Sequence, residues 1–104
     1  MANPYTGEVD LIVDGQRRRL KLTLGALAEL ETRMKVDGIT DLVARFEGEN
    51  PRARDVLLLI CAGLRGGGWD GDLPDLLAAD IDGGVLTAAR VAARLLNLAF
   101  QTPP

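Results

Sequence analysis

Apolar and polar residues alternate near the N-terminus in two short stretches that flank a turn pair. The alternating inward positions are Val9, Leu11 and Val13 before the turn, and Arg18, Leu20 and Leu22 after it. The pair Asp14-Gly15 tolerates positive φ, so the pattern predicts a β-hairpin with a two-residue loop. That loop places Glu8 opposite Lys21 and Asp10 opposite Arg19. One face should carry ion pairs, and helices should cover the apolar face.

Helical spacing follows from residue 23 onward, and it is interrupted by glycine, aspartate and proline. The predicted helices are residues 24–34 capped by Thr23, a short helix capped by Thr40 that ends at about Phe46, 51–64 beginning at Asn50-Pro51, 72–79 beginning at Asp72 and Pro74, and 85–100. The fold class is therefore α+β, mainly α, with an N-terminal β-hairpin packed on a bundle of about four to five helices. Residues 1–104 form one domain, with the hairpin at 7–22, helices over 23–100 and a tail at 101–104.

Two predicted helices are apolar on more than one side, namely the stretches 56–62 and 85–100. A helix with this pattern is either enclosed by neighbours or used in an interface. Both interpretations remain open from the sequence. The candidate interface residues on these helices are Val56, Leu57, Leu59, Ile60, Val91, Leu95 and Leu98.

Arg18 and Trp69 are two further candidates for contact with a partner. Arg18 shares the inward face of its strand with Leu20 and Leu22, so it lies at the sheet margin with its stem on the core or reaches a partner. Trp69 follows the three glycines Gly66-Gly67-Gly68, and it is either a lid on the core or an exposed anchor.

The residue inventory argues against catalysis. The chain has no histidine, no serine and a single cysteine, Cys61, so neither a catalytic triad nor a tetrahedral zinc site can be assembled. The acidic segment around Asp70-Gly71-Asp72 lacks the later ligands of a calcium loop. The triple glycine follows a helix and lacks the lysine of a phosphate loop. We expect a protein that is not an enzyme, with no catalytic, metal or cofactor residues.

Charge and hydropathy limit the choice of partners. The net charge is −3, which gives no general attraction to a phosphate backbone, so nucleic acid is not an expected partner. The run Arg17-Arg18-Arg19 is interpreted as a solvated or ion-paired strand with Asp10 as a neighbour. No apolar stretch is long enough to cross a membrane. One cysteine and the lack of an apolar leader favour a cytoplasmic location.

Five parts of the sequence carry a family resemblance. The segments Leu20-Lys-Leu-Thr-Leu-Gly-Ala-Leu-Ala-Glu-Leu-Glu31 and Ala62-Gly-Leu-Arg-Gly-Gly-Gly-Trp69 resemble the small tail-module proteins of gene transfer agents, which are phage-like particles of alphaproteobacteria. The opening residues 1–4, the turn Asp14-Gly15-Gln16 and the Ala-rich last helix are similar as well.

The resemblance implies one of two roles. Proteins of this family are labelled tail tube protein and tail assembly chaperone. Tube subunits generally build rings from a substantial β-sandwich or barrel, so a mainly helical chain favours the chaperone. The partners implied by that role are the tape measure protein and the tail tube protein, and self-association into a homo-oligomer stays open. The alternative role is a structural tube component that is retained in the particle.

Overall fold

The structure is a computed structural model that describes residues 7–47 and 52–100 of the chain. Several sequence predictions lie outside these residues, namely the opening residues 1–4, the helix start at Asn50-Pro51 and the tail at 101–104. In the described part the fold is α+β and mainly α, as predicted, with one antiparallel hairpin followed by five helices.

The hairpin consists of strands β1 (Glu8–Val13) and β2 (Gln16–Lys21). Its predicted register is confirmed, because Glu8 pairs with Lys21 and Asp10 with Arg19. Both residues of the Asp14-Gly15 loop have positive φ, 52° and 76°, as a tight turn that matches the strand twist requires. Val9, Leu11, Val13 and Leu20 are buried, so the alternation correctly identifies the face that packs on the helices.

A short extended segment pairs with the outer edge of β1 near the turn. Ile81 forms an antiparallel bridge with Val13. The Asp14 N–H donates to the Asp80 carbonyl at 2.7 Å, and the Asp82 N–H donates to the Ile12 carbonyl at 3.0 Å. An unpaired strand edge presents free backbone donors and acceptors. Residues 80–82 bond to these groups of β1 at the end of the strand next to the Asp14-Gly15 turn.

The helices are α1 (Leu24–Met34), α2 (Ile39–Glu47), α3 (Ala53–Gly66), α4 (Leu73–Leu77) and α5 (Gly84–Ala99). The predicted cap of α1 is confirmed, because the Thr23 hydroxyl accepts from the Ala26 N–H at 3.1 Å. Asp72 caps α4 in a capping box with Asp75, which satisfies two free N–H groups at the helix start.

The prediction that Thr40 caps a helix is wrong. The helix α2 begins one residue earlier, at Ile39, so Thr40 lies inside it. Gly38 adopts φ of 95°, and its carbonyl accepts from the Leu42 N–H at 3.2 Å. The glycine therefore turns the chain into the helix before Thr40 is reached. At the other break, α3 begins at Ala53 after an extended Arg52 that makes no side-chain cap.

The helix α3 is central and contacts α1, β2, α4 and α5. Every α3 residue from Asp55 to Leu64 is buried except Leu57. The core is built mostly from leucine, and the side chains that lose essentially all exposure are Leu20, Leu30, Leu42, Leu59, Ile60, Leu64, Leu76 and Leu95. Among the described residues, no helix has the length and apolar content to span a bilayer.

The end of α3 lies directly against the backbone of β2. A Cβ at Gly66 would overlap the Lys21 carbonyl oxygen, and one at Gly67 would overlap the Arg19 carbonyl oxygen and lie 2.8 Å from its carbon. Only glycine permits this approach, because the obstructing atoms are backbone and cannot rotate away. The glycines thus end the helix and also cover the outer edge of β2.

Candidate functional site

The structure brings the predicted residues Arg18 and Trp69 together. Both side chains line the same two cavities beside β2, one of about 280 Å³ and one of about 480 Å³. We call this pair of cavities the hairpin groove. Its smaller part is bounded by Arg17, Arg18, Arg19, Asp10, Gly67, Gly68 and Trp69. Its larger part is bounded by Arg18 and Trp69 with Val13, Asp14, Gln16, Pro74, Asp75, Ala78 and Ala79.

Trp69 is half-buried and packs against the core, so it combines the two roles that the sequence left open. The backbone N–H of Trp69 donates to the Leu64 carbonyl at 2.9 Å, and this bond folds the chain back over the end of α3. The indole lies on Gly71, where a Cβ would stand 2.7 Å from the ring atom Cε2. The ring is therefore held in one place at the border of the groove.

The wall of the groove formed by α4 is anchored by an ion-pair network. The Asp72 carboxylate forms ion pairs with Arg33 of α1 at 3.1 Å and with Arg65 of α3 at 3.5 Å. Each of these arginines also forms an ion pair with Glu29 at 3.2 Å. The Leu73 N–H, and then the Arg33 guanidinium, hold the pKa of Asp72 below its ordinary value. The network joins three helices and fixes where α4 stands relative to Trp69.

Cys61 lies beneath this network. Its side chain is buried, and Sγ is 3.8 Å from Oδ1 of Asp72. Burial, aided by the neighbouring Asp72 carboxylate, raises the pKa of the Cys61 thiol to about 11. The thiolate is the reactive form of cysteine, so this environment suits a core residue and not a nucleophile.

We expect native Cys61 to resist alkylation by iodoacetamide at pH 8. The change in pKa from 9.0 to about 11 reduces the thiolate population about a hundredfold, and burial slows reagent access further. Mass spectrometry of timed samples measures the rate. The same reaction in urea should be rapid, and equal rates in the two conditions would contradict the buried position.

The candidate interface residues of the long helices lie mostly in the core. Val56, Leu59, Ile60, Val91 and Leu95 are buried, whereas Leu57 and Leu98 are half-buried and pack against the core. Of the two interpretations of these apolar helices, enclosure is the one that the structure gives. The reason is that other elements of the fold contact α3 on several sides. Its apolar side chains are therefore covered within the domain, although the sequence pattern would also be consistent with a partner.

Exposed apolar side chains occur instead where α5 begins. Val85 is 68% exposed and Leu86 is 73% exposed, and both lie in the first turn of this helix. Ile12 is 37% exposed and lines a cavity with Asp82 and Thr87, which flank these two residues in sequence. We call Ile12, Val85 and Leu86 the exposed apolar corner. Large side chains with this exposure, close together, are typical of an interaction surface.

This corner is not predicted from the sequence, because Val85 and Leu86 have the pattern of the first residues of a core helix. A weak signal exists in Asp82-Gly83-Gly84, since residues directly after a break have no preceding helical turn to shield them. Within the ranges 7–47 and 52–100, no group of histidine, cysteine or carboxylate side chains is arranged to hold a metal ion. The described surface presents apolar side chains at the corner, and Trp69 and arginines at the groove.

Comparison with known proteins identifies one family. A family model described as "Phage tail tube protein, GTA-gp10" matches residues 6–102, which is nearly the whole chain. This confirms the resemblance to tail-module proteins of gene transfer agents. Neither the curated proteins nor the solved structures contain a match.

Proposed function

Because the chain belongs to the phage tail tube protein family GTA-gp10, and so to the tail module of phage-like particles, we propose that it acts as a non-catalytic tail assembly chaperone. In this role it binds the tape measure protein, keeps it soluble and promotes assembly of the tail tube around it. The observation that carries the proposal is the exposed apolar corner, formed by Ile12, Val85 and Leu86, which are three of the five exposed large apolar side chains among residues 7–47 and 52–100; the other two are Leu24 and Leu77.

The exposed apolar corner supports binding to a helical partner. An amphipathic helix presents an apolar stripe, and such a stripe is recognised by a small apolar surface with a polar rim. Asp14, Asp80 and Asp82 are exposed next to the corner and supply that rim. Each contact buries little area, so the affinity per copy is modest. Many copies on one long tape measure give avidity and still permit release as the tube forms.

The second candidate is a structural tube component that stays in the particle. The wording of the family description favours it, because it names a tail tube protein. The fold favours the chaperone, because the described residues contain a single two-stranded sheet and five helices. Closed rings of β-rich subunits need several strands to eliminate free edges, and one hairpin does not supply them.

Co-expression with the tape measure protein tests the proposal. We expect the soluble fraction of the tape measure, measured by centrifugation and quantitative immunoblot, to rise several-fold with the wild-type chain. The double variant Val85→Glu, Leu86→Glu should abolish most of that rise, because binding the tape measure would then bury two carboxylates against apolar side chains.

Leu24→Glu is the matched control. Leu24 is 86% exposed at the first residue of α1, near the open end of the hairpin and away from the exposed apolar corner. This variant should keep the solubilising effect. Equal loss in both variants, or no effect of the wild-type chain, would refute the role of the corner. Stoichiometric amounts of the chain in purified particles, measured by mass spectrometry, would favour the tube component.

A further inference from the structure

We propose that the hairpin groove is a second binding site, and that it takes a segment of a partner protein in which acidic residues lie next to an apolar residue. This site adjoins the exposed apolar corner, since Asp10 and Arg17 line both its smaller cavity and the cavity that Ile12 lines, but its apolar part is Trp69 and not Val85 and Leu86. It does not depend on whether the chain is a chaperone or a tube component.

The cationic part of the groove is the first argument. Arg17, Arg18 and Arg19 line its smaller cavity. Arg19 is paired with Glu8 at 3.7 Å, whereas Arg17 and Arg18 form no ion pair with a carboxylate of residues 7–47 or 52–100. Arg17 and Arg18 leave opposite faces of β2, one on each side of this cavity at the strand edge, so a carboxylate placed in the cavity can be reached from both sides through charge-assisted hydrogen bonds.

The position of Arg18 strengthens this argument. It lies opposite Leu11 on the inward face of the hairpin, yet it is only half-buried and borders both cavities. An arginine in such a position typically covers its aliphatic stem on apolar neighbours and keeps its charged end toward water. An arginine restrained in this way loses less freedom on binding than one that is fully exposed, which favours recognition.

Trp69 supplies the apolar part of the site. It stands between the two cavities and is fixed by its backbone hydrogen bond to Leu64 and by its contact with Gly71. The larger cavity continues past it along Val13, Pro74, Ala78 and Ala79. Tryptophan and arginine are the residues most enriched at the energetic centres of interfaces, especially when they are rigid and partly desolvated.

The acidic side chains nearby decide against a nucleic acid. Asp14 and Asp75 line the larger cavity, and each is engaged in the fold, since Asp14 accepts from the Asp80 N–H and Asp75 from the Asp72 N–H. Asp10 borders the smaller one. A polyphosphate chain that ran through the groove would meet these carboxylates. A peptide places its acids only at the arginine end, where three arginines outnumber Asp10, and its uncharged apolar residue lies beyond Trp69, next to Asp14 and Asp75.

Trp69 is the only tryptophan of the chain, so its fluorescence reports directly on the groove. The probe is the capped peptide Gly-Glu-Glu-Leu-Leu-Gly, titrated into the full-length protein at low salt. We expect a saturable change in emission. The peptide Gly-Gln-Gln-Leu-Leu-Gly should bind at least about tenfold more weakly, because the charge-assisted bonds are lost. An oligothymidylate should neither bind nor compete.

Arg17→Gln and Arg18→Gln should each lower the affinity for the glutamate peptide about tenfold. Arg17 is exposed, so its variant tests the site without a demand on the core. Arg54→Gln is the control, because Arg54 is exposed at the opposite end of α3, about 20 Å from the groove. It should bind as the wild type does.

Three results would overturn the proposal. They are a flat titration with the glutamate peptide, equal affinity for the glutamine peptide, and equal loss in the Arg54 and Arg18 variants. Competition by the oligothymidylate would assign the groove to nucleic acid instead. None of these results bears on the tape measure co-expression, so the two hypotheses fail separately.

Discussion

Gly67→Ala is expected to destabilise the fold by about 3 kcal/mol. The added carbon would overlap the Arg19 carbonyl oxygen and lie 2.8 Å from the carbonyl carbon. Relief requires that the end of α3 and strand β2 move apart, which opens the core around Leu20 and Leu64. Urea denaturation followed by Trp69 emission should show a midpoint lower by about 1 M or more.

The matched control is Gly25→Ala, the same chemical change in a helix with open space. The nearest atom to a Cβ at Gly25 is the Thr23 hydroxyl oxygen at 3.8 Å, so no clash arises. The gain in helix propensity, up to about 1 kcal/mol, should leave this variant as stable as the wild type or more so. If Gly67→Ala unfolds at the wild-type urea concentration, the close approach of α3 to β2 is refuted.

This approach also explains why the hairpin groove exists. The glycines let α3 end against β2, and the chain then turns so that Trp69 lies beside Arg18. A longer side chain at position 67 would displace that turn and separate the two. The Arg-Gly-Gly-Gly-Trp segment is therefore a packing element that builds a surface.

The hairpin was predictable from the sequence because every signal was local. A period of two fixes which residues face inward, and the Asp14-Gly15 pair fixes the register, so the pairing of Glu8 with Lys21 follows. Most helix limits were predictable for the same reason, since Thr23 and Asp72 mark starts by their own side chains. Thr40 failed because the preceding glycine already provides the turn.

The surfaces were less predictable because they depend on contacts that are distant in sequence. The apolar run of α3 is consistent with a core or with an interface, and the number of neighbours around the helix decides between them. The pairing of Arg18 with Trp69 requires the end of α3 to meet β2, which no periodicity reports. Val85 and Leu86 follow a helical apolar pattern and yet remain exposed, because nothing described packs on the first turn of α5.

A buried ion pair was also not predictable from the sequence. Asp55 is 5% exposed in the first turn of α3, and its Oδ2 is 3.4 Å from Nη1 of Arg45 on α2. Residues 40–46 of α2 contribute one fully buried side chain, Leu42, so this ion pair is a second anchor for the helix. Aspartate in an apolar run is a signal for a partner, but it does not identify which of several arginines provides it.

Arg45→Met should destabilise the protein by about 2 kcal/mol. Methionine keeps the apolar stem and the helix propensity of arginine, so the loss reports on the charge that Asp55 no longer meets. Urea denaturation measures the loss, and hydrogen exchange should show faster exchange across residues 40–46. The double variant Arg45→Met, Asp55→Leu should recover most of the stability, because no unpaired charge remains buried. Additive losses in that double variant would show that the two side chains do not interact.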